Sequence, residues 1–258
     1  MSKFINPFTD YGFKLIFGRE VSKILLIEFL NDLLEGERVI TDLTFLNNEQ
    51  LPDYPEGRGI IYDVYCTTDT GEKIIVEMQN RMQSNFKERS IFYLSRAIVN
   101  QGRTGHDWKF EIKAVYGVFL MNFIMDKNIK LRTDVILADK ETGELFSEKF
   151  RQIFIALPLF KKSEEECETN FERWIYILNN METLKRMPFK ARKAVFEKLE
   201  DIADVASMSP EDRERYDNSV KVYRDYLVTM DAAEQKGAQE TQLKIARNMK
   251  DKGIDNES

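Results

Sequence analysis

The sequence predicts an α/β protein laid out as a helical start, a strand-rich middle and a wholly helical end. Three observations carry this. Apolar residues recur at helical spacing as far as Gly36, β-branched and aromatic runs then flank an Asp69-Thr70-Gly71 turn, and beyond Pro158 only helical patterns remain. At 258 residues and 30.4 kDa the chain suits one sizeable domain with a helical appendage. We divide it into a core over 1–160, a helical extension over 161–230 and a polar C-terminal helix or tail over 231–258.

In the first stretch, Phe8, Phe13, Ile16 and Phe17 surround Asp10 and Lys14, one helical turn apart. A second helix follows from the spacing of Leu25, Leu26, Phe29, Leu30, Leu33 and Leu34, with Ser22 placed to cap it and Gly36 to stop it. Segments 42–46, 60–68 and 73–78 predict strands, the last two joined by the Asp69-Thr70-Gly71 hairpin turn. A helix is expected after Ser84, running through Phe86, Ile91, Phe92, Leu94, Ala97 and Ile98 to Gly102. Segment 113–123 is long and rich in Val, Tyr and Phe, which predicts a central strand, and 132–137 and 152–157 predict two more. Downstream, Ser163 with Glu166 predicts a capping box ahead of Phe171, Trp174, Ile175 and Leu178. Ser209-Pro210 predicts the start of a last helix, with Tyr216, Val220, Tyr223 and Leu227 along one face.

Composition narrows the chemistry. The only histidine, His106, lies between Gly105 and Asp107 and reads as a loop residue, so zinc sites built on several histidines are excluded. Cys66 and Cys167 are far apart, show no metal-ligand spacing and predict no disulfide. Metal chemistry must therefore be carboxylate chemistry, which suits a hard cation such as Mg²⁺ or Mn²⁺. No apolar run approaches the roughly 18 residues of a membrane span, and the start, MSKFINPFTDYGFK, lacks a secretory pattern. The expectation is a cytoplasmic protein with no membrane partner. A net charge of −6 argues against a broad nucleic-acid footprint but leaves room for a local one. The best basic cluster is Lys185, Arg186, Lys190, Arg192 and Lys193, interleaved with Phe189; it reads either as a solvated helix face or as contacts to a DNA backbone, whose binding would be salt-dependent.

The hairpin concentrates the chemistry. A three-residue loop at 69–71 places Asp63 opposite Glu77 and Ile61 opposite Gln79, whereas a two-residue turn would shift the register by one. Alternation then puts Glu77 and Gln79 on one face, with Ile61 and Ile75 sheltering it. Ile74, Val76 and Met78 share the other face with Tyr62, Val64 and Cys66. Carboxylates directly opposed on a ladder repel by about 4 kcal/mol at an effective dielectric near 20, so the pair should share a proton or hold a cation. A divalent cation there would grip a phosphate oxygen and activate water. The competing reading is the solvated face of a half-covered sheet.

Asp63 within IIYDVYC, the hairpin, Glu77-Met78-Gln79-Asn80, and Arg89 and Tyr93 within FKERSIFYLSR occur together in that order. With the opening NPFTDYGFKLIFG and the tail EQKGAQETQLKIARNMKDKGI, this pattern resembles the recombination-promoting nuclease (Rpn)/transposase family, a bacterial branch of the PD-(D/E)XK nuclease superfamily. The resemblance covers about residues 4 to 160 and the tail. It implies a restriction-endonuclease-like αβββαβ core with an all-helical C-terminal region, and a Mg²⁺- or Mn²⁺-dependent DNA endonuclease that promotes recombination or transposition-like events. It further implies that Asp63 and Glu77 bind metal, that Asp10 assists as a further acidic residue, and that Gln79 stands where the wider superfamily has lysine. A glutamine can orient water but carries no charge, which leaves a second expectation open: a nuclease fold that binds DNA or a partner with weak cleavage or none. Arg89, Tyr93 and Arg96 recur at i, i+4 and i+7, so one helix face presents them together, either as phosphate-contacting and supporting groups or as ordinary surface. A homodimer would suit cutting of both strands.

Overall fold

The computed structural model of the protein describes residues 2–51, 59–103 and 108–251. Helices α1 (Asp10–Phe17) and α2 (Lys23–Leu33) lead into strands β1 (Leu43–Phe45), β2 (Glu49–Gln50), β3 (Ile60–Ile61), β4 (Val64–Thr68) and β5 (Lys73–Gln79). Helix α3 (Phe86–Val99) and strands β6 (Val115–Met121), β7 (Arg132–Ala138) and β8 (Leu145–Ala156) follow. Helices α4 (Asn170–Asn180), α5 (Val195–Ala203) and α6 (Pro210–Asp251) come last.

Six strands form one mixed sheet in the order β1-β4-β5-β6-β8-β7, and β2 and β3 pair apart from it. Strand β6 runs parallel to both β5 and β8, and the other pairs are antiparallel. A parallel neighbour requires a crossover, and α3 supplies it between β5 and β6. Every residue of β6 is buried, as expected of a strand covered on both faces. Its Tyr116, Val118 and Leu120 join the core made with α1, α2, α4 and α5. Its Val115, Phe119 and Met121 face α3 and pack in the cluster containing Phe86 and Leu94. Gly117 permits that close approach, because a Cβ there would meet Leu94 Cδ1 at 2.5 Å and Phe119 Cε2 at 2.7 Å.

Segment 161–230 contributes to the same core as α1 and α2. Trp174 on α4 is fully buried, with ring centroids 6.0 Å from Phe17, 5.8 Å from Phe29 and 5.1 Å from Phe196 of α5. Its Nε1–H donates to Asp32 at 2.9 Å, and Lys193 neutralises that carboxylate at 2.6 Å. The first half of α6 lies against α1: Tyr216 is buried, its hydroxyl accepts from the Asn6 N–H at 2.8 Å, and Ser219 Oγ accepts from the Tyr11 N–H at 3.1 Å. Further along α6, Met230, Leu243 and Ile245 are exposed.

Several sequence expectations need correction. Segment 60–68 is two strands, because the chain breaks at Tyr62-Asp63. Ile61 pairs with Glu49, not Gln79, and is 65% exposed, so it shelters nothing. Tyr62 lies with Tyr65 and Ile75 rather than with Val64 and Cys66, since the break inverts the alternation. Ser22 makes no capping bond; its hydroxyl donates to the Arg19 carbonyl, because a 3-10 turn over Glu20–Ser22 already leads into α2. The capping box of α4 is Thr169 with Glu172. Ser163 and Glu166 make one of the two box bonds, Ser163 N–H to Glu166 at 2.7 Å, within a turn that starts no helix. Strand β8 begins at Leu145, well before 152, because β7 pairs along its exposed half. On α6, Leu227 is 40% exposed, and Tyr226 meets the protein instead. Ile91 and Phe92 are half exposed, leaving Phe86, Leu94 and Ala97 as the fully buried apolar residues of α3. His106 lies outside the described residues.

Removing the indole from this shared core should cost about 3–5 kcal/mol. Urea denaturation of Trp174→Ala is expected to show that loss in a single transition. Two separate transitions, with the sheet's own unchanged, would mean that α4 and α5 are not integral to the core.

Candidate active site

The register decides what meets at the end of the hairpin. Val64 pairs with Val76, Tyr65 with Ile75, Cys66 with Ile74 and Thr67 with Lys73, which is the pairing expected from a three-residue loop. Gly71 supports it with φ +91°, a conformation that glycine adopts without Cβ strain. One step further, Asp63 stands beside Glu77, but the ladder does not continue there. The Asp63 backbone N–H donates to Glu77 Oε1 at 3.1 Å, and Asp63 Oδ2 accepts from the Met78 N–H at 2.9 Å. Each carboxylate thus closes the hydrogen bonding of the neighbouring strand, where main-chain carbonyls would otherwise do so. Asn48 holds the break from the other side, its Nδ2 donating to the Asp63 carbonyl at 2.9 Å.

Glu77 is nearly inaccessible, at 3% exposure. Burial and, next, the charge of Asp63 hold its carboxyl well above the usual carboxylate range. Burial likewise pushes Asp63 up to about 6, opposed by the Met78 N–H and by Lys14 and Arg89. Gln79 joins the same network. Its Nε2 donates to Glu77 Oε2 at 3.1 Å, and its Oε1 accepts from Arg89. Arg89 on α3 also donates to Gln83 Oε1 at 2.7 Å and lies over the Tyr93 ring, 5.7 Å from its centroid. Tyr93 in turn meets Tyr62 edge-on at 5.4 Å and accepts the Tyr62 hydroxyl on its carbonyl at 3.0 Å. Burial pushes the Tyr62 phenol well above its ordinary range.

Asp63, Glu77, Gln79, Arg89 and Tyr93 are therefore one connected group. Asp10 is nearby but committed elsewhere: it pairs with Lys14 at 2.7 Å, although it lines the small cavity that also contains Asp63. Arg96 donates to the Leu51 carbonyl at 2.7 Å, and its charge acts on the Tyr62 phenol. Of the basic cluster, Arg186 pairs with Glu164, Lys190 with Glu200, and Lys193 with Glu28 and Asp32. Lys185 and Arg192 are exposed, and the run forms turns rather than a helix. No residue of it touches the Asp63–Glu77 group in any described contact.

Asn80 is a residue that spacing did not single out. It follows the last residue of β5, and its Nδ2 donates to the Phe8 carbonyl at 2.7 Å, tying the start of α1 to the end of β5. Its Oδ1 is buried without a hydrogen-bond partner, lining the same cavity as Asp63 and Asp10, about 100 Å³ in volume. An orphaned buried carbonyl oxygen carries a desolvation cost unless something occupies the space it faces. The available signal was a polar residue directly after an apolar alternation.

Among the described residues no three His, Cys, Asp or Glu side chains converge as a complete metal cage. The groups present nonetheless fit a hard cation: the donors are all oxygen, the two carboxylates are held close and reluctant to ionise together, and one amide oxygen is unsatisfied. Mg²⁺ commonly keeps several waters and takes only one or two protein carboxylates.

The fold is a mixed α/β sheet with helices on both faces and a carboxylate pair at a strand break, an arrangement compatible with the nuclease class. A family model for PD-(D/E)XK nuclease family transposases matches residues 7–233, and the chain belongs to that family. No curated protein and no solved structure matches it. Among the described residues no helix is long and apolar enough to cross a membrane.

The raised carboxyls make the metal-free protein pH-sensitive. Both groups hold a proton more tightly folded than unfolded, so their contribution is present at low pH and is lost as pH climbs from about 4 through the raised folded values. With chelator present, Glu77→Gln should raise the thermal midpoint at pH 8 and leave it almost unchanged near pH 5. An equal loss at both pH values would show that the carboxylate is not under electrostatic stress.

Proposed function

We propose that this protein is a divalent-metal-dependent DNA endonuclease, with Asp63 and Glu77 as metal ligands on an αβββαβ core formed by α2, β1, β4, β5, α3 and β6. The observation that carries the reading is the Asp63–Glu77 pair, Glu77 buried and Asp63 half-buried, locked together by reciprocal side-chain-to-backbone bonds. When bound, Mg²⁺ or Mn²⁺ would polarise a phosphate oxygen and lower the pKa of water. The side chains do the rest. Asp63 and Glu77 are fixed by the Met78 and Asp63 N–H groups, so they need no reorganisation to present their oxygens. Asn80 offers its free Oδ1 to a water or a cation.

Gln79 answers the question raised by the missing lysine. Its amide is oriented from both ends, by Glu77 and by Arg89, so it can position a water but cannot take its proton. The positive charge that a lysine would bring comes instead from Arg89, whose guanidinium contacts Gln79 directly. Arg89 is the residue for the developing charge on phosphate, and Tyr93 supports its position from below. Asp10, paired with Lys14, acts at most through water in the shared cavity. The family description, a nuclease family transposase, supports breaks made in transposition-like events, and promotion of recombination is part of the same proposal.

Nicking of supercoiled plasmid in Mg²⁺ or Mn²⁺ tests the assignment. Glu77→Ala and Asp63→Ala are expected to abolish it, and Arg89→Ala to lower the rate about 10²–10³-fold, the usual effect of removing one transition-state donor. Cleavage that survives Glu77→Ala would refute the site. The fixed amide of Gln79 in place of a lysine also favours a second reading, a fold that binds DNA without cutting. Wild-type binding with no nicking in any divalent metal would establish it.

A further inference from the structure

A second cavity lies at the other end of the sheet. It has a volume of about 950 Å³ and is lined by Lys73, Arg103, Trp108, Phe110, Lys113 and Lys149. Lys73 begins β5 and Glu77 lies four residues further along it, so this cavity is about 13 Å from the carboxylate pair at roughly 3.3 Å per residue.

Its cations are gathered in one place. The net charge is −6, and Lys14, Lys23, Lys87, Lys162 and Lys193 each contact a carboxylate. Lys73, Arg103, Lys113 and Lys149 have no such partner among the described residues, yet they line one cavity. Opposing them are Glu111 on the lining and the carbonyl end of α3, worth about half a negative charge. Among the described lining residues, four cations stand against about one and a half negative charges, a positive excess. Lys73 is half-buried, and burial lowers its pKa from the ordinary lysine value.

The cavity also carries an aromatic platform. The rings of Trp108 and Phe110 lie 4.6 Å apart, inclined at 36°. Phe110 is 77% exposed and adopts φ +58°, a backbone conformation that a bulky side chain rarely takes. A large apolar ring held out in solvent on strained backbone gains nothing for the folded core. Beside it the loop is pinned: Gln101 Oε1 accepts from the Lys113 N–H at 2.7 Å, and Gln101 Nε2 donates to the Lys113 carbonyl at 3.2 Å.

Unpaired cations beside an exposed aromatic pair match the chemistry of single-stranded nucleic acid, whose phosphates take the charges and whose unstacked bases take the rings. We propose that this cavity is a single-strand binding site separate from the carboxylate pair, with Trp108 and Phe110 stacking a base and Lys113, Lys149 and Arg103 contacting the backbone. Duplex DNA would not satisfy it, since paired bases keep their faces stacked within the helix. The proposal stands on the cavity and not on cleavage, so it is independent of whether Glu77 binds metal.

The test is binding of a labelled dT oligomer of about ten nucleotides to the full-length protein in chelator, followed by anisotropy and by tryptophan emission. Only Trp108 and Trp174 emit, and Trp174 is fully buried, so quenching reports Trp108. The oligomer should quench; Trp108→Ala should weaken binding about tenfold or more; and Lys113→Glu with Lys149→Glu should weaken it and lower the salt slope by about 0.7 per cation removed. The proposal is overturned if neither the aromatic nor the lysine variants change affinity, if a duplex of the same length quenches equally, or if dTMP competes as well as the oligomer.

Discussion

The reciprocal exchange between Asp63 and β5 is the contact on which the candidate site depends. A continuing ladder would have pointed the carboxylates along the sheet's ordinary alternation, with main-chain carbonyls satisfying the Asp63 and Met78 N–H groups. Breaking the strand frees those two donors, and the carboxylates accept from them. The result is a like-charged pair held at short range by its own hydrogen bonds, with raised proton affinity on both members. Repulsion between such groups is what a bound cation relieves, so one irregularity creates both the stress and the means of its release.

Elements distant in sequence steady this break. Asn48 holds the Asp63 carbonyl, and Asn80 fastens the end of β5 to the Phe8 carbonyl. Helix α6 braces both neighbourhoods, through Tyr216 on Asn6 and through Tyr226, whose hydroxyl donates to the Asn80 carbonyl at 3.4 Å. The C-terminal helices are thus coupled to the site by packing as well as by sequence order. On the opposite face, α3 delivers Arg89 to Gln79 because Gly117 and Leu94 let it settle close against β6.

Charge is distributed with the same economy. Many lysines and arginines among the described residues are matched to carboxylates, as with Arg132 and Arg151 on Glu37 and Asp134, or Lys193 on Asp32. The cluster at 185–193 looked cationic in one dimension and is largely neutralised in three. Lys73, Lys113, Lys149 and Arg103 looked unremarkable in sequence because they come from separate elements, and only folding gathers them.

Local pattern made most helices and strands legible, though not α5, β2 or the division of 60–68, and it offered the three-residue loop that sets Asp63 beside Glu77 as one of two registers, because side-chain periodicity and turn chemistry act over a few residues. It also brought Gln79, Arg89 and Tyr93 into view through their spacing. Tertiary structure decided the strand break at Tyr62-Asp63, the bond from Arg96 to the Leu51 carbonyl, and the unsatisfied Asn80 Oδ1. Each of those depends on which distant partner reaches a given polar atom first, and no periodicity encodes that competition.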